Sequence, residues 1–299
     1  MFSRFAELSR APQGATLAGI VAILFWSCSV GVIRSTIELL GPTGAPAVMF
    51  TAAALLLWPT RTSLRDMPRG YLWLGAALFV AYQLCFTLSL GVARSRHEAI
   101  EVGMVNYLWP SLTVLFSTLA QGRRANALML AGLGLALFGV VAASSPPEGL
   151  SLARFFDNAR ANPLCYGLGL AAALSWSLYS TCTNVMARGK NGLWFFMALS
   201  AAAFWTLHAF EPNRAPMQWT LHAAALVALA SAASTLGYLL WNIGVLHGRI
   251  HLLGLAANAT PLLSALIASL LLSAPLAGVF WVGAALVAIG SLVARKGAS

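Results

Sequence analysis

Charge is what this sequence has least of. Only 9% of its 299 residues are Asp, Glu, Lys or Arg, against about 25% in a soluble domain. That is too little to cover a water-facing surface. Acid is scarcer than base, with 8 Asp and Glu against 18 Lys and Arg and a formal net charge of +10. In a soluble chain that excess would point to nucleic acid. Here the bases sit in short clusters between long apolar runs, with no basic stripe, zinc-finger spacing or RNA-binding signature, so a nucleic-acid partner is not expected. The four cysteines, Cys28, Cys85, Cys165 and Cys182, form no C-x-x-C pair. They fall within or at the start of apolar runs and read as small buried hydrophobes. His247 and His251 are four apart, near an expected inner rim, and no histidine has the spacing of a metal site. There is no Walker lysine loop and no Rossmann glycine pattern. No catalytic residue, metal or cofactor is therefore expected.

What is present is hydrocarbon. Apolar residues make up 59% of the chain and the mean hydropathy is +0.79. A bilayer core takes about 20 apolar residues per helix. Ten segments come close, at roughly 15–34, 43–59, 70–91, 99–119, 126–143, 163–186, 192–210, 219–241, 247–272 and 276–294. Period-two alternation is lacking, which argues against an outer-membrane barrel. The stretch Ala15 to Ile33 reads as a retained first span rather than a cleaved signal, because more spans follow it. With a cytoplasmic N-terminus, 12 of the 18 Lys and Arg fall inside and 6 outside, while acids run the other way. That agrees with the positive-inside rule and puts both termini in the cytoplasm. Eight or twelve spans would keep the same parity.

The two halves echo each other. Placing Gly19 on Gly169 aligns Trp26 with Trp176 and Ser27 with Ser177. Pro110 in NYLWPSLTVLF and Pro261 in NATPLLSAL match at nearly the same offset. The expectation is an all-α polytopic membrane protein of ten transmembrane helices in two inverted five-helix repeats. A short segment, 1–14, precedes the first repeat, 15–143. An external linker, 144–162, leads to the second repeat, 163–294, and a tail, 295–299. Five spans per half invert the second half, an arrangement that recurs in secondary transporters around a site near the midplane.

Candidate site residues follow from polar and aromatic groups inside the apolar runs. Val102, Asn106 and Trp109 share a helical face. Pro110 removes a backbone donor and frees the carbonyl of Asn106; Pro261, near Asn258, frees that of Ala257. Freed carbonyls in hydrocarbon need a partner from protein, water or ligand. Pro110 and Pro261 are the expected conformational hinges. Trp26, Tyr82, Trp176, Tyr179, Tyr238, Trp241 and Asn242 complete the expected substrate-binding set with Asn106, Trp109 and Asn258. Gln83, Phe86 and Thr183 stand beside them. Aromatic rings next to amides suit an apolar body with a polar head, although Trp and Tyr also form interfacial belts. Glu101, Arg249, Arg34 and Glu38 are expected to snorkel to water or to sit at the rims, with proton coupling by Glu101 an alternative. Small residues on spans five and ten, among them Gly132, Gly139, Gly283 and Gly290, suggest a scaffold or dimer face. The triplet Asn258-Ala259-Thr260 matches a glycosylation acceptor but lies inside a span.

The Trp26 and Trp176 spans, NYLWPSLTVLF at 106–116 and NATPLLSAL at 258–266 resemble the drug/metabolite transporter superfamily of the EamA type. Within it, the chain is most similar to the bacterial aromatic amino acid exporters. The resemblance implies ten spans, cytoplasmic termini, a bacterial inner-membrane location and a central cavity. It also implies export of amino acids, aromatic and other neutral ones, by alternating access, with a monomer sufficient and a homodimer possible. Substrate and membrane lipid would be the partners. Many members carry a glutamate just after spans four and nine, where this chain reads Gln121-Gly122-Arg123-Arg124 and Ser273-Ala274-Pro275. The rivals are export of another small metabolite or drug, a membrane-embedded lipid enzyme, and a receptor or assembly factor that carries nothing. The enzyme would need clustered His, Asp or Glu at one membrane face, and none is seen.

Overall fold

In hydrocarbon each backbone N–H and C=O has to be bonded within the chain, so long apolar runs without strand alternation become helices. The computed structural model describes residues 12–60, 63–146, 148–188, 190, 192–212 and 216–298. Its helices are α1 (Pro12–Ser27), α2 (Ser29–Leu40), α3 (Gly44–Leu57), α4 (Arg69–Val92), α5 (Arg96–Asn106), α6 (Trp109–Ala120) and α7 (Ala127–Ala143). These are followed by α8 (Leu152–Ala161), α9 (Pro163–Met186), α10 (Leu193–Phe210), α11 (Leu221–His247), α12 (Ile250–Ala257), α13 (Thr260–Leu271) and α14 (Gly278–Ala298).

Among the described residues, six stretches are long and apolar enough to cross a bilayer. They are Pro12–Leu40, Arg69–Val92, Arg96–Ala120, Leu193–Phe210, Leu221–Trp241 and Gly278–Ala298. Gly44–Leu57, Ala127–Ala143 and Thr260–Leu271 are apolar but shorter. The chain is thus an all-α polytopic bundle, with fewer membrane-length apolar helices among the described residues than the ten expected spans.

Three of the long runs are interrupted. α5 gives way to α6 at Tyr107–Leu108, so that Pro110 stands in the first turn of α6, where its missing N–H costs nothing. α12 gives way to α13 at Asn258–Ala259, with Pro261 in the first turn of α13. There the hydroxyl of Thr260 donates to the Ala257 carbonyl at 2.6 Å, which supplies the partner that Pro261 withholds. The third break, at Cys28 between α1 and α2, has no proline. Ser27 Oγ donates to the Ile23 carbonyl at 2.8 Å and Cys28 Sγ to that of Leu24 at 3.3 Å. Side chains that bond back onto the preceding turn compete with the helix ladder and bend it.

The glycine faces of α7 and α14 are used within the chain rather than against a second copy. A Cβ at Gly139 would lie 2.6 Å from the Gly283 carbonyl oxygen, and one at Gly290 would lie 2.5 Å from Ala136 N. Only residues without side chains allow backbones to approach so closely. Four ends of the bundle are tied by charge at one pole. Arg34 Nη1 donates to the Leu90 and Ala93 carbonyls at 2.6 and 2.9 Å, and its Nε reaches Glu38 at 3.0 Å. Arg96 grips the same carboxylate through Nη2 at 2.6 Å and bonds the Leu272 carbonyl at 2.9 Å. Thus α2, α4, α5 and α13 meet there. Of the two expected placements, snorkelling or a rim position, Arg34 takes the rim, turned inward onto the helix-end carbonyls of Leu90 and Ala93.

The stretch expected as a linker holds a helix of its own. α8 starts at Ser151, whose hydroxyl accepts from Arg154 N at 3.2 Å. Its charge masked it as a connection, although its apolar residues recur at helical spacing.

Candidate solute cavity

The breaks open a central chamber. Trp26, Ser29 and Ile33 enter from the α1–α2 break, and Asn106, Tyr107 and Trp109 from the α5–α6 break. Ala257 and Thr260 enter from the α12–α13 break. Phe50 of α3, Tyr82, Gln83 and Phe86 of α4, Trp176 of α9, and Ser234, Tyr238 and Trp241 of α11 complete the wall. The chamber holds about 810 Å³ of atom-free space, its mouth included. No charged side chain is among these lining residues.

Rings form two connected banks. Trp26 meets Tyr238 edge-on at 5.4 Å and Trp241 at 5.3 Å. Gly237 makes room for that indole, since a Cβ there would lie 2.6 Å from Trp26 Nε1. Opposite, Tyr82 lies 4.7 Å from Trp176 and stacks on Phe86 at 5.7 Å. Trp176 stands edge-on to Trp109 at 6.3 Å and reaches Tyr238 at 5.8 Å, joining the banks. Ser177 Oγ donates to the Trp109 carbonyl at 3.0 Å and so fixes α9 against the start of α6.

Asn106 is 3% exposed, and its Oδ1 has no hydrogen-bond partner. A buried carbonyl oxygen without a donor costs about 1–3 kcal/mol. At the wall of a chamber, that cost is removed when a ligand brings an N–H or O–H.

Seven of the ten sequence-expected binding residues line the chamber: Trp26, Tyr82, Asn106, Trp109, Trp176, Tyr238 and Trp241. Tyr179 does not. It packs behind the wall on Phe79 at 5.3 Å and Trp176 at 5.2 Å, within the aromatic core. Asn258 is buried at the α12–α13 break, while its neighbours Ala257 and Thr260 face the chamber. The side chain of Asn242 lies outside the described residues, as do those of His247 and His251. Sequence reasoning passed over Ser29, Ile33, Phe50, Tyr107 and Ser234, which carry no pattern that sets them apart from ordinary packing. For Tyr107 the one available signal was its place a turn before Pro110, as Thr260 directly precedes Pro261.

Glu101 is outside the chamber. Its carboxylate accepts from Tyr166 Oη at 2.6 Å and from Asn158 Nδ2 at 3.3 Å. The expected snorkelling is replaced by bonds to α9 and α8.

A bundle of membrane-length helices around an uncharged chamber at three helix breaks defines a carrier for a small solute. Comparison with known proteins gives the class: a model described as the EamA-like transporter family matches residues 163–295. An aromatic amino acid exporter, YddG, of Escherichia coli (strain K12) is 44% identical over 285 residues, 94% of this chain and 96% of that protein. The exporter of the same name from Salmonella typhimurium (strain 14028s / SGSC 2262) is 45% identical over 285 residues, with the same coverage. The one from Ancylobacter novellus is 30% identical over 298 residues, 95% of this chain and 99% of that protein. A solved crystal structure overlays with a TM-score of 0.65 at 28% identity, covering 96% of this chain and 97% of that one. The chain belongs to the EamA-like transporters of the drug/metabolite superfamily, and it is a secondary transporter rather than an enzyme.

Proposed function

We propose that this chain exports aromatic amino acids, together with other neutral ones, from the bacterial cytoplasm by alternating access through the central chamber. One observation carries the reading: a two-banked aromatic chamber without charge, with the unpartnered Asn106 Oδ1 in its wall. A zwitterion has no net charge to be matched by an ion. Its ring would lie between the Trp26–Tyr238–Trp241 bank and the Tyr82–Trp176 bank, where offset and edge contacts add about 0.5–1.5 kcal/mol per pair beyond area burial. Its ammonium would donate to Asn106 Oδ1 and lie over an indole face, worth about 2 kcal/mol when desolvated. Hydroxyl and amide donors from Ser29, Gln83 and Tyr107 would take the carboxylate. The names of the three relatives support the same substrate class.

In this reading the chain has ten spans in two inverted repeats, 15–143 and 163–294, with both termini cytoplasmic. Support comes from the paired breaks before Pro110 and Pro261, from the Lys and Arg bias, and from the family match over 163–295. Alternating access would then exchange the packings of the two halves, bending at those breaks.

The test is flux in liposomes containing the purified protein, offered labelled phenylalanine, tyrosine and tryptophan beside leucine, a nucleoside and a nucleotide sugar. Saturable flux of the aromatic amino acids, competed by one another, is expected. Flux of the nucleotide sugar alone, or no saturable flux of any solute, overturns the reading.

A further inference from the structure

We propose that α8 is an interfacial helix that docks on the phospholipid headgroup and upper acyl region beside the bundle. The helix carries the strongest separation of apolar and polar faces among the described helices, and only part of its apolar arc is used by the protein. Phe155 meets Tyr166 edge-on at 6.1 Å, and Ala159 packs on the same core. Next along the arc, Leu152 and Phe156 are 58% and 49% exposed. The helix is nonetheless firmly held. Ser151 caps its start, Asn158 donates to Glu101, and Arg94 donates to the carbonyl of Ala161 at its end. A helix fixed on one side, with large apolar side chains bare on the next, has a second partner in its working environment.

Three features identify that partner as lipid. α8 runs through Asn162 into α9 and follows α7 after residues 144–151, so it stays by the ends of two expected spans, where a bilayer's headgroups would begin. Leu150 just before it and Leu164 just after it are 53% and 59% exposed, extending the bare apolar edge along the same level. On the polar side, Arg154 and Arg160 are exposed, and guanidinium groups bind phosphate through paired N–H donors. Leucine and phenylalanine on one face with arginine on the other is the pattern of helices that lie about 5–10 Å into the headgroup boundary. Docked in this way, α8 would set the height of the bundle in the bilayer and brace α5, whose far end carries Asn106.

The proposal is tested by photo-crosslinking the full chain in phosphatidylethanolamine–phosphatidylglycerol vesicles, with p-benzoylphenylalanine placed at Phe156 in one variant and at Asp157 in another. Intact mass is expected to show the addition of one phospholipid at position 156, in at least fivefold higher yield than at 157. Should the first variant fail to fold, the same group at Leu152 is expected to give the same adduct. Equal yields at 156 and 157, a crosslinked pair of chains, or no lipid adduct from a folded variant overturns it. The outcome is independent of solute flux, so failure here leaves the transport reading standing.

Discussion

Asn106 shows how a single side chain can be both a defect of packing and a binding group. Its Oδ1 is buried without a donor, and Asn106→Leu removes that acceptor with the same side-chain branching. Stability should then change by no more than about 1 kcal/mol, while affinity for an aromatic amino acid falls about tenfold, equivalent to ~1.4 kcal/mol. Thermal unfolding and equilibrium binding on the same sample check both halves of that expectation. Gly237 is the complementary case. A valine there would drive Trp26 off α11, so Gly237→Val should weaken binding of tryptophan more than of leucine in a competition assay. Glycine-to-valine at Gly139 should instead act on stability, because the added methyls meet backbone of α14. Overpacking of this kind costs about 1–3 kcal/mol, occasionally more, and a lowered unfolding temperature in detergent would show it. Among residues, the aromatic ones were legible because a large ring deep in an apolar run is conspicuous. Tyr179 misled because it stands three positions from Trp176, and helical spacing alone does not say which of two near neighbours meets a void and which meets Phe79.

Most helices were legible to within a few residues, since a run of apolar residues in this solvent has one backbone solution, but α2 and α11 run on to Leu40 and His247, past the expected ends at 34 and 241. The two proline breaks were legible for the same reason: a missing donor is written in the sequence. The break at Cys28 was not, because it arises from hydroxyl and thiol back-bonds to Ile23 and Leu24, and such residues are common in straight helices. α8 was hidden by its charge and brevity. At this scale the break at Ala257 gives a clean prediction. Thr260→Val keeps the side-chain shape but leaves the Ala257 carbonyl without its 2.6 Å donor, at a cost of about 1–3 kcal/mol. Thr260→Ser should retain the stability that the valine variant loses in thermal unfolding. Arg34 tests the polar pole: Arg34→Gln removes the charged bonds to Leu90 and Ala93, which are worth about 1.5–3 kcal/mol each when the donor is ionised. The end of α4 should then exchange its amide hydrogens faster than in the parent.

For the molecule as a whole, the decisive arrangement is that three broken helices and four continuous ones, α3, α4, α9 and α11, meet around one chamber. Sequence reasoning reached the chamber through its repeat pattern and its aromatic content. It could not reach the assignment of walls, because Phe50 and Ser234 face inward only through the way α3 and α11 cross, and crossing is decided by packing rather than by local pattern. The pairing of α7 with α14 is of the same sort: the small residues could be read, but not whether their partner lay in this chain or another.

The absence of ions from the chamber wall has an electrical meaning. A zwitterion moved through it by a protein that brings no charge of its own crosses the membrane field without work being done on it. A carrier of one net charge would be biased by about 2.3 kcal/mol, or about fiftyfold, at 100 mV. Flux of phenylalanine into vesicles should therefore be indifferent to an imposed potassium diffusion potential. On the proposed reading, voltage would neither drive nor restrain the export, and a cell would lose only what its own surplus pushes out.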